Sequence, residues 1–360
     1  MKAIRLRTEY LNNPIGIDMV KPRLFWNCEG GVKQTAYQVQ AVDGEGNLLW
    51  DSGKTESTSM RVQWGGETLK SRAEVSWKVR LWDETDTEGE WSAPAAFELG
   101  LLKEEDWQAQ WMTGDYKVNK KERYPADCFR KVFSLPETEG KVKARLYITA
   151  CGLYEAKLNG KRVGDFVLAP GVTDYKRRIQ YQTYDVGGLL KSGENVLEVQ
   201  LADGWYRGSV GAWGLLNQYG TETKVLAQME ITSHKAGEPV RYLCSGDDWE
   251  WSNDGPIRFA DNKDGEDYDA RRAPSYQGKA KLTHHPVVPA ASDNVALTEH
   301  ETFSAKKIET PSGATVLDFG QNIAGYVSFS VKAEEGQKIF LRFGEMLDEN
   351  GEFTQKNIQC

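Results

Sequence analysis

At 360 residues the chain exceeds a single small domain and suggests about two to four compact units. Lys and Arg number 45 against 53 Asp and Glu, and the formal charge of −8 argues against a nucleic-acid or anionic-membrane partner. With 39% hydrophobic and 27% charged residues the composition is neither disordered nor collagen-like. The 12 Trp, 15 Tyr and 12 Phe beside 35 Gly suit short strands and tight turns, so an all-β fold is expected. No run approaches the roughly 18 apolar residues of a membrane span, and the start, Met1-Lys-Ala-Ile-Arg-Leu-Arg, lacks an apolar signal core. A cytoplasmic location follows as the expectation. Cys28, Cys128, Cys151, Cys244 and Cys360 are odd in number and far apart, which predicts reduced thiols.

In chain order, alternating apolar runs appear at Thr35–Val42, Glu74–Trp82 and Ala96–Leu99, with polar, Gly-bearing turns between them. Residues 1–102 are read as a small antiparallel sandwich. The run Trp77-Lys-Val-Arg-Leu-Trp, a charged turn and then Trp91-Ser-Ala-Pro resembles the late strands of a fibronectin type III module, with the Trp side chains serving as core. A polar stretch from Lys103 to Glu122 opens a second domain, 103–280. Its predicted strands are Cys128–Phe133, Lys143–Ala150, Leu153–Leu158, Asn195–Leu201 and Val225–Ile231, with Asn159-Gly160 as a hairpin turn. This domain is expected to be a larger β-sandwich of jelly-roll type. Ala280 to Asn294 reads as a linker or edge segment. Residues 281–360 start a third β-sandwich, with strands expected from Thr315, Gly325 and Lys338, too few to bury an apolar face, so the chain is expected to end within a domain.

Several cofactor classes find no motif: there is no P-loop, no G-x-S-x-G and no dinucleotide-binding glycine run ahead of a helix. His284-His285 lacks metal-ligand spacing. The cluster Asp203-Gly-Trp-Tyr-Arg-Gly has two readings. Trp205 and Tyr206 could cover the apolar face of a sugar while Asp203 binds its hydroxyls. Alternatively, Gly204 and Gly208 shape a sharp turn and Trp205 packs inside. Between Asp261 and Asp269 five carboxylates fall within nine residues. That density suits a hard cation such as calcium, held by Asp261 and Asp264, or simply a solvated acidic loop in which Asp269 and Arg271 pair.

Four segments together resemble the front half of bacterial α-L-rhamnosidases: Pro170-Gly-Val-Thr-Asp-Tyr-Lys-Arg-Arg, Leu201-Ala-Asp-Gly-Trp-Tyr-Arg-Gly, Asp264-Gly-Glu-Asp-Tyr-Asp-Ala-Arg and Asp318-Phe-Gly-Gln-Asn-Ile-Ala-Gly-Tyr. The resemblance implies a fibronectin-like module, a jelly-roll module related to rhamnose-binding domains and a further β-sandwich, followed in the family by an (α/α) barrel that this chain does not contain. It implies inverting hydrolysis of terminal α-L-rhamnose by two carboxylates roughly 6.5 to 9.5 Å apart on that barrel, and therefore no catalytic residue here. It also implies a calcium-bridged sugar site using Asp174, Asn262 and their neighbours. A stand-alone rhamnose-binding module and a structural scaffold remain as other readings. The partners implied are a rhamnose-containing glycan or glycoside and the catalytic barrel of the same polypeptide.

Overall fold

The alternation of small apolar and polar residues in the first hundred positions closes into two antiparallel sheets. The structure, a computed structural model, describes residues 1–137, 142–211, 213–232 and 239–358. One sheet joins Lys2–Thr8, Arg23–Glu29 and Arg61–Gln63; the other runs Leu48–Asp51, Ala36–Val42, Glu74–Trp82 and Ala95–Glu98, with Thr55–Glu56 also paired to Ala36–Val42. In Glu74–Trp82 the odd positions point inward, so Val75, Trp77, Val79 and Leu81 are buried against Leu24, Trp26, Val39 and Phe97. Of the Trp residues expected as core, Trp77 and Trp82 are buried, whereas Trp91 is half-buried with Lys78 and Arg80 over its ring; Trp26 and Trp64 are also core. Neither Lys2–Thr8 nor Arg23–Glu29 is among the strands expected from sequence, although Leu24, Trp26 and Cys28 alternate inward in the second.

The second sandwich is larger. Its six-stranded sheet runs Lys161–Arg162, Leu153–Leu158, Gly193–Ala202, Asp127–Leu135, Glu250–Ser252 and Gly278–Lys279. The facing sheet runs Lys281–Leu282, Met112–Thr113, Lys224–Thr232, Lys143–Cys151, Gln180–Asp185 and Ala290–Ala291, and Arg241–Cys244 pairs with Lys224–Thr232. Between the sheets Phe129, Leu146, Ile148, Leu197, Val199, Val225, Met229 and Trp249 form the main core. All five strands predicted for this domain are present. Asn159 and Gly160 both take positive φ, 53° and 75°, which is what a two-residue hairpin between Leu158 and Lys161 requires. The segment read as a linker or edge supplies both edges of the seven-stranded sheet, through Lys281–Leu282 and Ala290–Ala291.

The chain divides into two units, Met1–Ser209 with Leu216–Leu297, and Val210–Leu215 with Thr298–Cys360. The first unit holds both sandwiches. In the second, Thr315–Asp318 pairs with Lys306–Glu309. The runs from Gly325 and Lys338, expected as strands, form no ladder among the described residues, and Phe340 is 83% exposed. A β-strand needs a hydrogen-bonded neighbour as well as an alternating pattern, and these runs have only the pattern. The described residues include one α-helical turn, Gly204–Arg207, and no helix long and apolar enough to cross a membrane. Cys28, Cys128, Cys151 and Cys244 are free thiols, and Cys360 lies outside the described residues.

Candidate functional site

The strand Gly193–Ala202 ends at Asp203, and the chain turns through Gly204–Arg207. Gly204 has φ +52°, and a Cβ there would lie 2.6 Å from Leu153 Cγ. A Cβ on Gly208 would lie 2.4 Å from the Gly204 carbonyl oxygen. Both glycines are therefore required by backbone geometry. The turn brings Arg207 back onto Asp203: Nε donates to Oδ1 at 2.7 Å and Nη2 lies 2.6 Å from the same oxygen, with both side chains 4% exposed.

Around this pair lies a polar network that the sequence reading missed. Arg207 Nη1 donates to the Tyr116 hydroxyl, which donates to Asp127 Oδ2 at 3.3 Å. Asp127 is fully buried and also accepts from Thr223 Oγ1 at 2.7 Å and Trp251 Nε1 at 2.9 Å. On the other flank Arg123 donates to Asp261 Oδ2 at 2.9 Å, to Ser209 Oγ at 3.0 Å and to Asp264, and lies 4.0 Å from Asp203 Oδ2. Ser209 N–H and Oγ donate in turn to Asp261 and Asp264 at 2.6 and 2.7 Å. The one local signal was Arg207 itself, four residues after Asp203. Tyr116, Arg123, Asp127, Thr223 and Trp251 arrive from distant strands and loops.

Burial raises the pKa of Asp127 and of Asp203, opposed in both by Arg207. Asp261 goes the other way. Burial pushes it up, but N–H donors from Lys263, Ser209 and Asp264 together with Arg123 outweigh that and hold its carboxyl below the usual range. Asp203 and Asp261 are internal ion-pair partners of Arg207 and Arg123, and Asp127 accepts from the neutral donors Tyr116, Thr223 and Trp251.

The residues proposed from sequence for sugar contact separate. Tyr206 is 4% exposed and packs edge-on against Tyr175, centroids 5.3 Å apart, beside Trp111, Cys151 and Ile179. Trp205 is half-buried against the same cluster. Asp174 is exposed in a turn where its carbonyl accepts from the N–H of Arg177 and Arg178, and its carboxylate lies 3.7 Å from Arg177. Asn262 is exposed at the tip of the hairpin Ile257–Asp261 and Gly265–Tyr268. Asp269 and Arg271 do pair, Nε to Oδ1 at 2.9 Å.

The calcium expectation fits this geometry poorly. The Arg123 guanidinium occupies the space between Asp261 and Asp264, and it supplies the positive charge a cation would bring. Among the described residues no group of three or more His, Cys, Asp or Glu is placed to hold a metal.

Comparison with known proteins follows the same architecture. Residues 140–310 match the α-L-rhamnosidase N-terminal domain, residues 3–103 the Rha78A-like N-terminal immunoglobulin domain, and residues 308–360 the bacterial α-L-rhamnosidase concanavalin-like domain. The chain belongs to the α-L-rhamnosidase family. An α-L-rhamnosidase of Formosa agariphila is 33% identical over 98% of this chain, which spans 40% of that protein. The structure of α-L-rhamnosidase from Dictyoglumus thermophilum superposes with a TM-score of 0.78 at 31% identity, over 89% of this chain and 39% of that one. That of the Streptomyces avermitilis α-L-rhamnosidase complexed with L-rhamnose gives 0.80 at 26%, over 89% of this chain and 49% of that one. The chain thus corresponds to the N-terminal β-domains of these α-L-rhamnosidases and to about 40% of the length of the first of them.

Proposed function

We propose that this chain is the non-catalytic N-terminal part of an enzyme that hydrolyses terminal α-L-rhamnose from rhamnosides, and that it scaffolds a catalytic barrel of the same polypeptide. The observation that carries this reading is the state of its buried carboxylates. Asp127, Asp203 and Asp261 are each engaged by Thr223 and Trp251, by Arg207, or by Arg123. Inverting hydrolysis needs one protonated and one free carboxylate facing each other across open space of roughly 6.5 to 9.5 Å. Two surface clefts of the first sandwich, of 330 and 300 Å³, are lined without any Asp or Glu. A cytoplasmic location belongs to the same reading and is supported by the free thiols of Cys28, Cys128, Cys151 and Cys244.

A second reading, capture of rhamnose by the jelly-roll module, is favoured by the partial exposure of Trp205 and by the Streptomyces avermitilis relative, whose structure is complexed with L-rhamnose. Trp205 would stack on the sugar; Asp174 and Asn262, exposed on other loops, would belong to a separate contact. Calorimetric titration with L-rhamnose separates the two. The scaffold reading expects no saturable heat. Saturable heat that Trp205→Ala abolishes would establish the second reading instead.

A further inference from the structure

Arg72 stands in the loop ahead of Glu74–Trp82 with φ +66°, a left-handed conformation that is unfavourable for a non-glycine residue. Backbone strain of this kind persists where the surroundings over-determine the conformation. Here the surroundings are two acids from elsewhere in the chain. Arg72 Nε and Nη2 each donate to Glu230 at 2.7 Å, a bidentate pair with the strand Lys224–Thr232 of the second sandwich. Nη1 donates to Asp106 Oδ1 at 2.8 Å and Nη2 to the Asp106 carbonyl at 3.1 Å, in the turn that connects the sandwiches.

The connector is held from both sides. Asp106 Oδ2 accepts from the Ser71 hydroxyl and from the N–H groups of Leu102 and Lys103. Gln228, two residues before Glu230, donates to the Asp106 carbonyl and accepts from the N–H of Gln108 and Ala109. Arg145 faces Glu230 across the ladder, but its guanidinium is committed to Glu98 at 2.8 and 2.6 Å and to Asp185 at 3.0 Å. It therefore cannot neutralise Glu230 if Arg72 leaves. The sandwiches also meet where the Tyr181 hydroxyl accepts from Leu101 N–H at 2.7 Å and donates to its carbonyl at 3.1 Å.

We propose that Arg72 is the keystone of a lock that makes the two sandwiches one rigid body, so that the N-terminal module is a fixed wall and not a tethered, swinging domain. One guanidinium serves two carboxylates whose side chains are 14% and 8% exposed. Removing it leaves two largely buried carboxylates without the cation they share, a state that opening of the joint relieves. The lock acts between modules and is independent of what the chain binds.

Hydrogen exchange on the whole chain tests this, comparing amides at 98–109 and 228–232 with those in the core strands Asp127–Leu135 and Gly193–Ala202. Arg72→Gly deletes the guanidinium while relieving the left-handed strain. We expect exchange at the joint to rise about tenfold or more with the core strands unchanged. Unchanged exchange at the joint, or an equal rise everywhere, would overturn the proposal. If Arg72→Gly does not fold, Arg72→Gln removes the cation while keeping a polar side chain between Asp106 and Glu230, and is read by the same two criteria.

Discussion

Arg207 closes on Asp203 across a single turn, Nη2 to Oδ1 at 2.6 Å, and neither side chain reaches solvent beyond 4%. This makes the Asp203–Arg207 pair a buried rivet across that turn. A buried pair broken by removing one partner leaves an uncompensated charge, which costs about 3 to 5 kcal/mol. Asp203→Ala should therefore lower the unfolding free energy by about that amount in urea titration. A loss under about 1 kcal/mol would mean that the pair is not the rivet described.

Asp127 predicts an unusual pH dependence. Its carboxyl is raised by burial, so the fold favours the protonated form. The ionised form costs stability fully above the folded pKa, and that cost fades as pH falls toward the unfolded value of about 3.9. Asp127→Asn removes the titration and nothing else in the charge network. The stability of the wild type relative to Asp127→Asn should accordingly rise as pH is lowered from about 7 to about 4. A flat or opposite trend in unfolding experiments would show that Asp127 is held ionised by Arg207 and its hydrogen bonds.

Arg123 stands where a cation would sit between Asp261 and Asp264. Calcium should leave the melting temperature of the wild type unchanged. In Arg123→Ala the freed carboxylates have room for an ion, and calcium should then stabilise in a concentration-dependent way. Stabilisation of the wild type by calcium would contradict the assignment of Arg123 as the resident positive charge.

Gly100 tests the close contact between the sandwiches. A Cβ there would lie 2.1 Å from the Tyr181 hydroxyl, itself bonded to Leu101. Gly100→Ala should cost about 1 to 3 kcal/mol in thermal or chemical unfolding. Tyr181→Phe, which removes the hydroxyl, should recover part of that loss.

What the sequence disclosed, and what it concealed, follows from range. The strands of the second sandwich were legible because inward positions such as Leu197, Val199 and Leu201 alternate within one short segment. The Asn159-Gly160 turn was legible because its φ requirement is local. Lys2–Thr8 was hidden because Arg5 takes positive φ and a bulge breaks the alternation. The sugar reading of Asp203 and Tyr206 misjudged side-chain direction. Asp203 turns toward an Arg one turn on, and Tyr206 into an aromatic cluster supplied by Trp111 and Tyr175. Nothing local marks Arg123 as the partner of Asp261, since 138 residues separate them.

The central claim is that the carboxylates of this chain hold a fold together and leave glycosidic bond cleavage to another part of the enzyme. It is tested most directly by incubating the purified 360-residue chain with an aryl α-L-rhamnoside and following release of the phenol. The account predicts release at the rate of the enzyme-free blank. Turnover that exceeds the blank and is lost in Asp127→Asn or Asp203→Asn would contradict it.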